Sequence, residues 1–137
     1  MRIGDESAYV EFTSNNQNDI PEICLSVDIA KDGFAGTVGH VWISQNAARL
    51  FVKQLKQLEK NEVDRTELLN LSSGSDSSPL LFEIRKVDSL GHLATFVTVQ
   101  KVDRLRETTS TLSLTVNFEL DREYFHKAIA DFENLLQ

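Results

Sequence analysis

One cysteine, two prolines, six glycines and a single tryptophan in 137 residues make this a sequence whose scarcities are informative. A lone cysteine, Cys24, leaves no internal disulfide and suits a reducing compartment. No apolar run approaches the roughly 18 residues needed to span a bilayer. Residues 1–12 carry Asp5, Glu6 and Glu11 where a secretory signal would need an apolar stretch, so a cytoplasmic chain is expected. No segment repeats at a period of 20–50 residues, and no Pro-rich linker divides the chain. Positive charge is also short, with 14 bases against 21 acids and a net charge of −7. Such a balance repels nucleic acid and anionic membranes, and it favours basic partners.

What remains is a single domain, residues 1–137, large enough to bury a core without metal or disulfide help. Charge is uneven along it: the first 32 residues hold seven acids and two bases, and residues 33–60 hold one acid and four bases. A strand is expected over Ala8–Thr13. Ile23, Leu25, Val27 and Ile29 alternate with Cys24, Ser26, Asp28 and Ala30, the period-two pattern of a strand with one buried face. Lys31-Asp32-Gly33 supplies hairpin chemistry, and a third strand follows over Phe34–Ile43, where Gly36 and Gly39 suggest a bulge or a close approach. Trp42, near its end, is expected in the core.

Ser44 suits the N-cap of a helix over Gln45–Lys60. Ala47, Phe51, Leu55 and Leu58 form its apolar stripe, and Arg49, Lys53, Lys56 and Lys60 its opposite, solvated ridge. Further strands are expected near residues 65–71, through Leu69 and Leu71, and at Leu80–Val87, His92–Val102 and Thr109–Leu120. Asp121 then suits the cap of a helix lined by Phe125, Ile129, Phe132 and Leu136. Three strands, a helix, four strands and a helix, joined by hairpin-length links, predict an α+β fold. Its expected form is a single curved antiparallel sheet of about six to seven strands, with both amphipathic helices on one face.

Chemistry is sparse. Cys24, His40, His92 and His126 lack zinc-motif spacing, so no metal is assigned. No Gly-x-Ser-x-Gly elbow, phosphate loop or dinucleotide fingerprint is present, and no cofactor or catalytic residue is assigned. The basic ridge has no interleaved aromatics for base stacking, so nucleic-acid binding is not expected.

Several runs carry a resemblance. The first is Val41-Trp42-Ile43-Ser44 with Leu50-Phe51 and Leu55-x-x-Leu58. The second is Gly91-His92-Leu93 leading to Val97-x-Val99. The third is Leu114-x-Val116-x-Phe118-x-Leu120-Asp121 with Tyr124-Phe125 and Phe132-x-x-Leu135-Leu136. From about residue 20 onward these resemble the small bacterial domains grouped with the WapI-type immunity proteins. The resemblance implies a non-enzymatic inhibitor that binds a cognate toxin domain, and acidity suits a basic, nuclease-type target.

Three functional expectations follow. The first is a protein-binding module whose candidate contact residues are Asp5, Glu6, Asp19, Glu22, Asp28 and Asp32. The second is a small enzyme assembled from distant residues such as Asp28, His40 and His92. The third is a self-associating domain using a polar sheet face that includes Thr95, Ser113, Thr115 and Asn117.

Overall fold

The computed structural model describes residues 1–15, 22–70, 78–104 and 106–136. The chain runs β1 (Arg2–Gly4), β2 (Ala8–Ser14), β3 (Glu22–Lys31), β4 (Phe34–Ser44) and α1 (Gln45–Glu59). It continues through β5 (Arg65–Asn70), β6 (Leu80–Lys86), β7 (Leu93–Arg104), β8 (Thr109–Leu120) and α2 (Arg122–Leu135). The strands form two antiparallel four-stranded sheets, ordered β1-β2-β3-β4 and β5-β6-β7-β8.

The single six- to seven-stranded sheet expected from the sequence is therefore wrong, and the reason is one of coverage. Seven strands at about 4.8 Å spacing make a face roughly 30 Å wide, while two helices side by side cover about 20 Å. Every strand here has an apolar side, so the uncovered remainder must bury against something else. It buries against a second sheet. Residues of both sheets and both helices belong to one continuous core.

At its centre Phe12 of β2 meets Phe82 of β6 at 5.1 Å between ring centroids, edge to face. Phe51 of α1 and Phe132 of α2 join them, 4.9 Å apart. Each such aromatic contact adds about 0.5–1.5 kcal/mol beyond the area it buries. Truncating Phe132 to alanine would remove a fully buried ring and cost about 3–5 kcal/mol.

The two halves repeat one another in geometry. Both helices start directly from the preceding strand, capped at Ser44 and Asp121. Buried positions of α1 recur seventy-seven residues later in α2: Ala48/Phe125, Phe51/Ala128, Val52/Ile129 and Leu55/Phe132. Ladder registers recur seventy residues on, so Val10–Ile29 and Phe12–Val27 match Leu80–Val99 and Phe82–Val97. Phe12 and Phe82 are thus equivalent residues in mutual contact. The first two helix pairs exchange large for small, so volume is conserved in sum where identity is not.

Local chemistry explains the details. Asp32 and Gly33 take φ of 51° and 87° in the β3–β4 turn, the left-handed geometry a tight hairpin needs. The bulge falls at Gly39 and His40, which together face Ser26 of β3. At Gly36 the second sheet comes close, since a Cβ there would lie 2.8 Å from Leu114 Cδ2. Ser44 accepts a hydrogen bond from Ala47 N–H, whereas Asp121 makes no side-chain cap bond. Three placements differ from expectation. Trp42 is half-buried on the outward face beside Cys24 rather than in the core. In β5 it is Thr66 and Leu68 that turn inward, leaving Leu69 exposed. Thr95, expected on the polar face, is fully buried between Ile84 and Phe118.

Candidate protein-binding surface

The acids of the first 32 residues are sorted by the ladder of the first sheet. Asp5 and Glu6 form the β1–β2 turn, and Asp32 sits in the β3–β4 turn. These turns touch: Asp32 N–H donates to the Ser7 carbonyl at 3.2 Å, just beyond the Ala8–Lys31 pair that ends the ladder. Acids from two turns far apart in sequence therefore share one end of the sheet.

Asp5 is held firmly. Its Oδ1 accepts from Ser7 N–H at 2.8 Å, Ser7 Oγ at 2.7 Å and Ala8 N–H at 3.0 Å. The Ser7 hydroxyl, then the main-chain donors, keep its carboxyl below the usual carboxylate range, so it stays ionised in mild acid. Gly4 makes this turn possible with φ of 110°, because a Cβ there would lie 2.2 Å from the Ala8 carbonyl oxygen.

Asp28 lies on the outward face of β3, in a row that crosses the sheet as Arg2, Glu11, Asp28 and Thr37. Two carboxylates directly opposite one another repel, and each has a partner on its far side. Arg2 Nε pairs with Glu11 Oε2 at 3.0 Å, and the Thr37 hydroxyl donates to Asp28. Arg2 also lies 3.9 Å from the centre of the Tyr9 ring. Around the corner, Arg2, Gly4, Asp5, Glu6, Tyr124 and Lys127 line an open cleft of about 400 Å³.

Of the six residues expected at a partner surface, Asp5, Glu6 and Asp32 come together and Asp28 lies about four residues along β3 from Asp32. Glu22 does not join them. It pairs with Ser44 at the far end of β3, roughly 20 Å from Asp28 at about 3.3 Å per residue. Asp19 lies outside the described residues. Glu11 and Tyr9 were missed by sequence reasoning. Their outward alternation in β2 was legible, but their register against Asp28 depends on how the chain returns between β2 and β3.

No protein-family model, curated protein or solved structure matches the chain.

The three residues named for an assembled catalytic site each have a separate partner. Asp28 bonds Thr37, His40 Nδ1 lies 3.8 Å from Cys24 Sγ, and His92 bonds Asp88. Burial pushes the Cys24 thiol up, away from the thiolate a nucleophile requires. Among the described residues, no three His, Cys, Asp or Glu side chains are grouped to hold a metal ion, and no helix is long and apolar enough to cross a membrane. On the basic ridge, Lys56 pairs with Glu133 of α2, and Glu59 accepts from His126 at 2.9 Å, so part of that ridge ties the helices together.

Proposed function

We propose that this chain is a non-catalytic protein-binding module that engages a basic partner through the acidic end and outward face of its first sheet. The observation that carries the reading is the hydrogen bond from Asp32 N–H to the Ser7 carbonyl, which fuses two acidic turns into one surface. Beside them, Glu11, Asp28 and Tyr9 extend the surface across an open sheet face, on rigid strands rather than loops. Acids placed this way steer a cationic partner and reject an anionic one. Following the WapI-type resemblance, the partner class is a cognate toxin domain, and a nuclease-type toxin has the required basic surface.

The test is a pull-down from extract of the source cell at low salt, with elution by raising salt. The comparison variant combines Glu6→Lys, Asp28→Asn and Asp32→Asn. Asparagine tolerates the positive φ at position 32, so the turn is kept. A basic protein retained by the native chain, released by salt and lost by the variant is expected. Equal retention by both chains, or nothing retained by either, would refute the reading.

A further inference from the structure

Two sheets have four edge strands, and three of those edges carry a device against pairing with another chain. β1 is three residues long. β4 is broken by its bulge, and its His40 carbonyl accepts from Ser78 N–H at 2.7 Å. β5 is six residues long and carries Arg65 and Glu67. β8 has none of these. Its twelve residues pair with β7 in unbroken register, contain no proline or glycine, and carry no charge from Ser110 to Phe118.

Two independent hydrogen bonds fix which main-chain groups of β8 face outward. Gln100 N–H donates to the Pro79 carbonyl beside β6, so the odd-numbered residues of β7 face β8. Their partners are Leu112, Leu114, Val116 and Phe118, which leaves the odd-numbered residues of β8 facing away. Lys31 Nζ reaches the Asn117 carbonyl at 2.6 Å, as that parity requires. This lysine occupies the outward carbonyl of Asn117. Among the described residues nothing pairs with the outward main-chain groups of Thr111, Ser113 and Thr115, and Leu112 beside them is 64% exposed.

We infer that this edge pairs with the same edge of a second copy, antiparallel about a two-fold axis at Ser113. That register places Ser113 opposite Ser113 and Thr111 opposite Thr115, giving about six main-chain hydrogen bonds. It also sets the exposed Leu112 of each copy against Leu114 of the other, and it aligns hydroxyl-bearing side chains on the outward face. No charge is paired with a like charge within this stretch. The two second sheets join into one eight-stranded sheet, and the two-fold axis uses up both open edges, so assembly stops at a dimer. The contact uses none of the acids of the proposed partner surface and stands apart from that reading. It is small, at the transient end of specific interfaces. Because each copy carries a net charge of −7, association strengthens with salt, opposite to capture of a basic partner.

Sedimentation velocity from about 10 μM to about 1 mM tests this, alongside amide hydrogen exchange at both limits. The native chain is expected to shift toward dimer, with protection rising at Thr111, Ser113 and Thr115. Leu112→Lys alters a side chain that contributes little to the monomer, and Ser113→Pro removes only a solvent-facing N–H. Each should weaken association at least about tenfold with an unchanged monomer circular dichroism spectrum. Should Ser113→Pro unfold, Leu112→Lys alone decides. A native chain that stays monomeric to the upper limit overturns the inference, as does a dimer that Leu112→Lys leaves intact.

Discussion

Replacing Thr95 by valine should make this protein more stable. Thr95 is fully buried in the second sheet, opposite Ile84 and Phe118, and its hydroxyl oxygen has no hydrogen-bond partner among the described residues. Its equivalent in the first sheet is Leu25, an apolar residue. Leaving a buried hydroxyl unsatisfied costs about 1–3 kcal/mol, and valine keeps nearly the same shape without it. A gain of about 1–2 kcal/mol is expected once imperfect repacking is allowed for. At about 2.1 cal/mol/K per residue, a chain this long unfolds with an entropy near 0.3 kcal/mol/K, which converts that gain to about 3–7 °C in Tm. Thermal and urea unfolding by circular dichroism provide the measurement, with Thr66→Val as the control. Thr66 is equally buried, but its hydroxyl donates to Gln54 Oε1 at 3.1 Å, so its loss should destabilise by about 1 kcal/mol. If Thr95→Val proves neutral or destabilising while Thr66→Val behaves as stated, the Thr95 hydroxyl is bonded in solution and the argument fails.

Ser44→Ala should cost about 1 kcal/mol in urea unfolding, because it removes a formed cap bond to Ala47. Asp121→Ala should cost measurably less, since Asp121 makes no such bond; equal losses would contradict the cap assignment. Gly4→Ala forces an L side chain into positive φ and against the Ala8 carbonyl, so a Tm well below that of the native chain is expected, and an unchanged Tm would contradict that geometry. The hydrogen bond and charge of Asp88 raise the His92 pKa, and the hydrogen bond from His92 lowers that of Asp88. The raised histidine stabilises fully below its unfolded pKa and loses this as pH rises through its folded one. The depressed aspartate contributes above its unfolded pKa and loses this as pH falls. The pair therefore contributes most between about pH 4 and 6.5. NMR titration should find His92 above the ordinary imidazole value, and Asp88→Asn should bring it down.

Much of the secondary structure was legible in the sequence because each element has a local cause. Thr109–Leu120 was delimited by strict alternation, α1 by Ser44 and a helical stripe, and the β3–β4 turn by Asp32-Gly33. Gly36 and Gly39 suggested a bulge or a close approach without saying which; the bulge lies at Gly39, and the Leu114 side chain comes against Gly36. What escaped was non-local. Alternation shows that a strand has a dry side, not which strand lies beside it, so two sheets read as one. β1 offered a single apolar residue, Ile3, too short a pattern to register as a strand. The halves share positions rather than residue types, as Ala48/Phe125 and Phe51/Ala128 show, and their spacing near seventy residues exceeds the periods that sequence repeats usually take. At the acidic surface, residue types were visible, whereas the grouping of Asp5, Glu6 and Asp32 without Glu22 required the ladder register.

The meander order of both sheets has a kinetic consequence. Each strand ladder joins neighbours along the chain, so either four-stranded unit closes only short loops as it forms, which favours fast early steps. Neither unit can shelter its apolar side by itself, and the contact of Phe12 with Phe82 is non-local, so it is expected to form late. Alanine at either ring should therefore mainly accelerate unfolding and leave the refolding rate nearly unchanged, a partition that stopped-flow fluorescence from Trp42 can read.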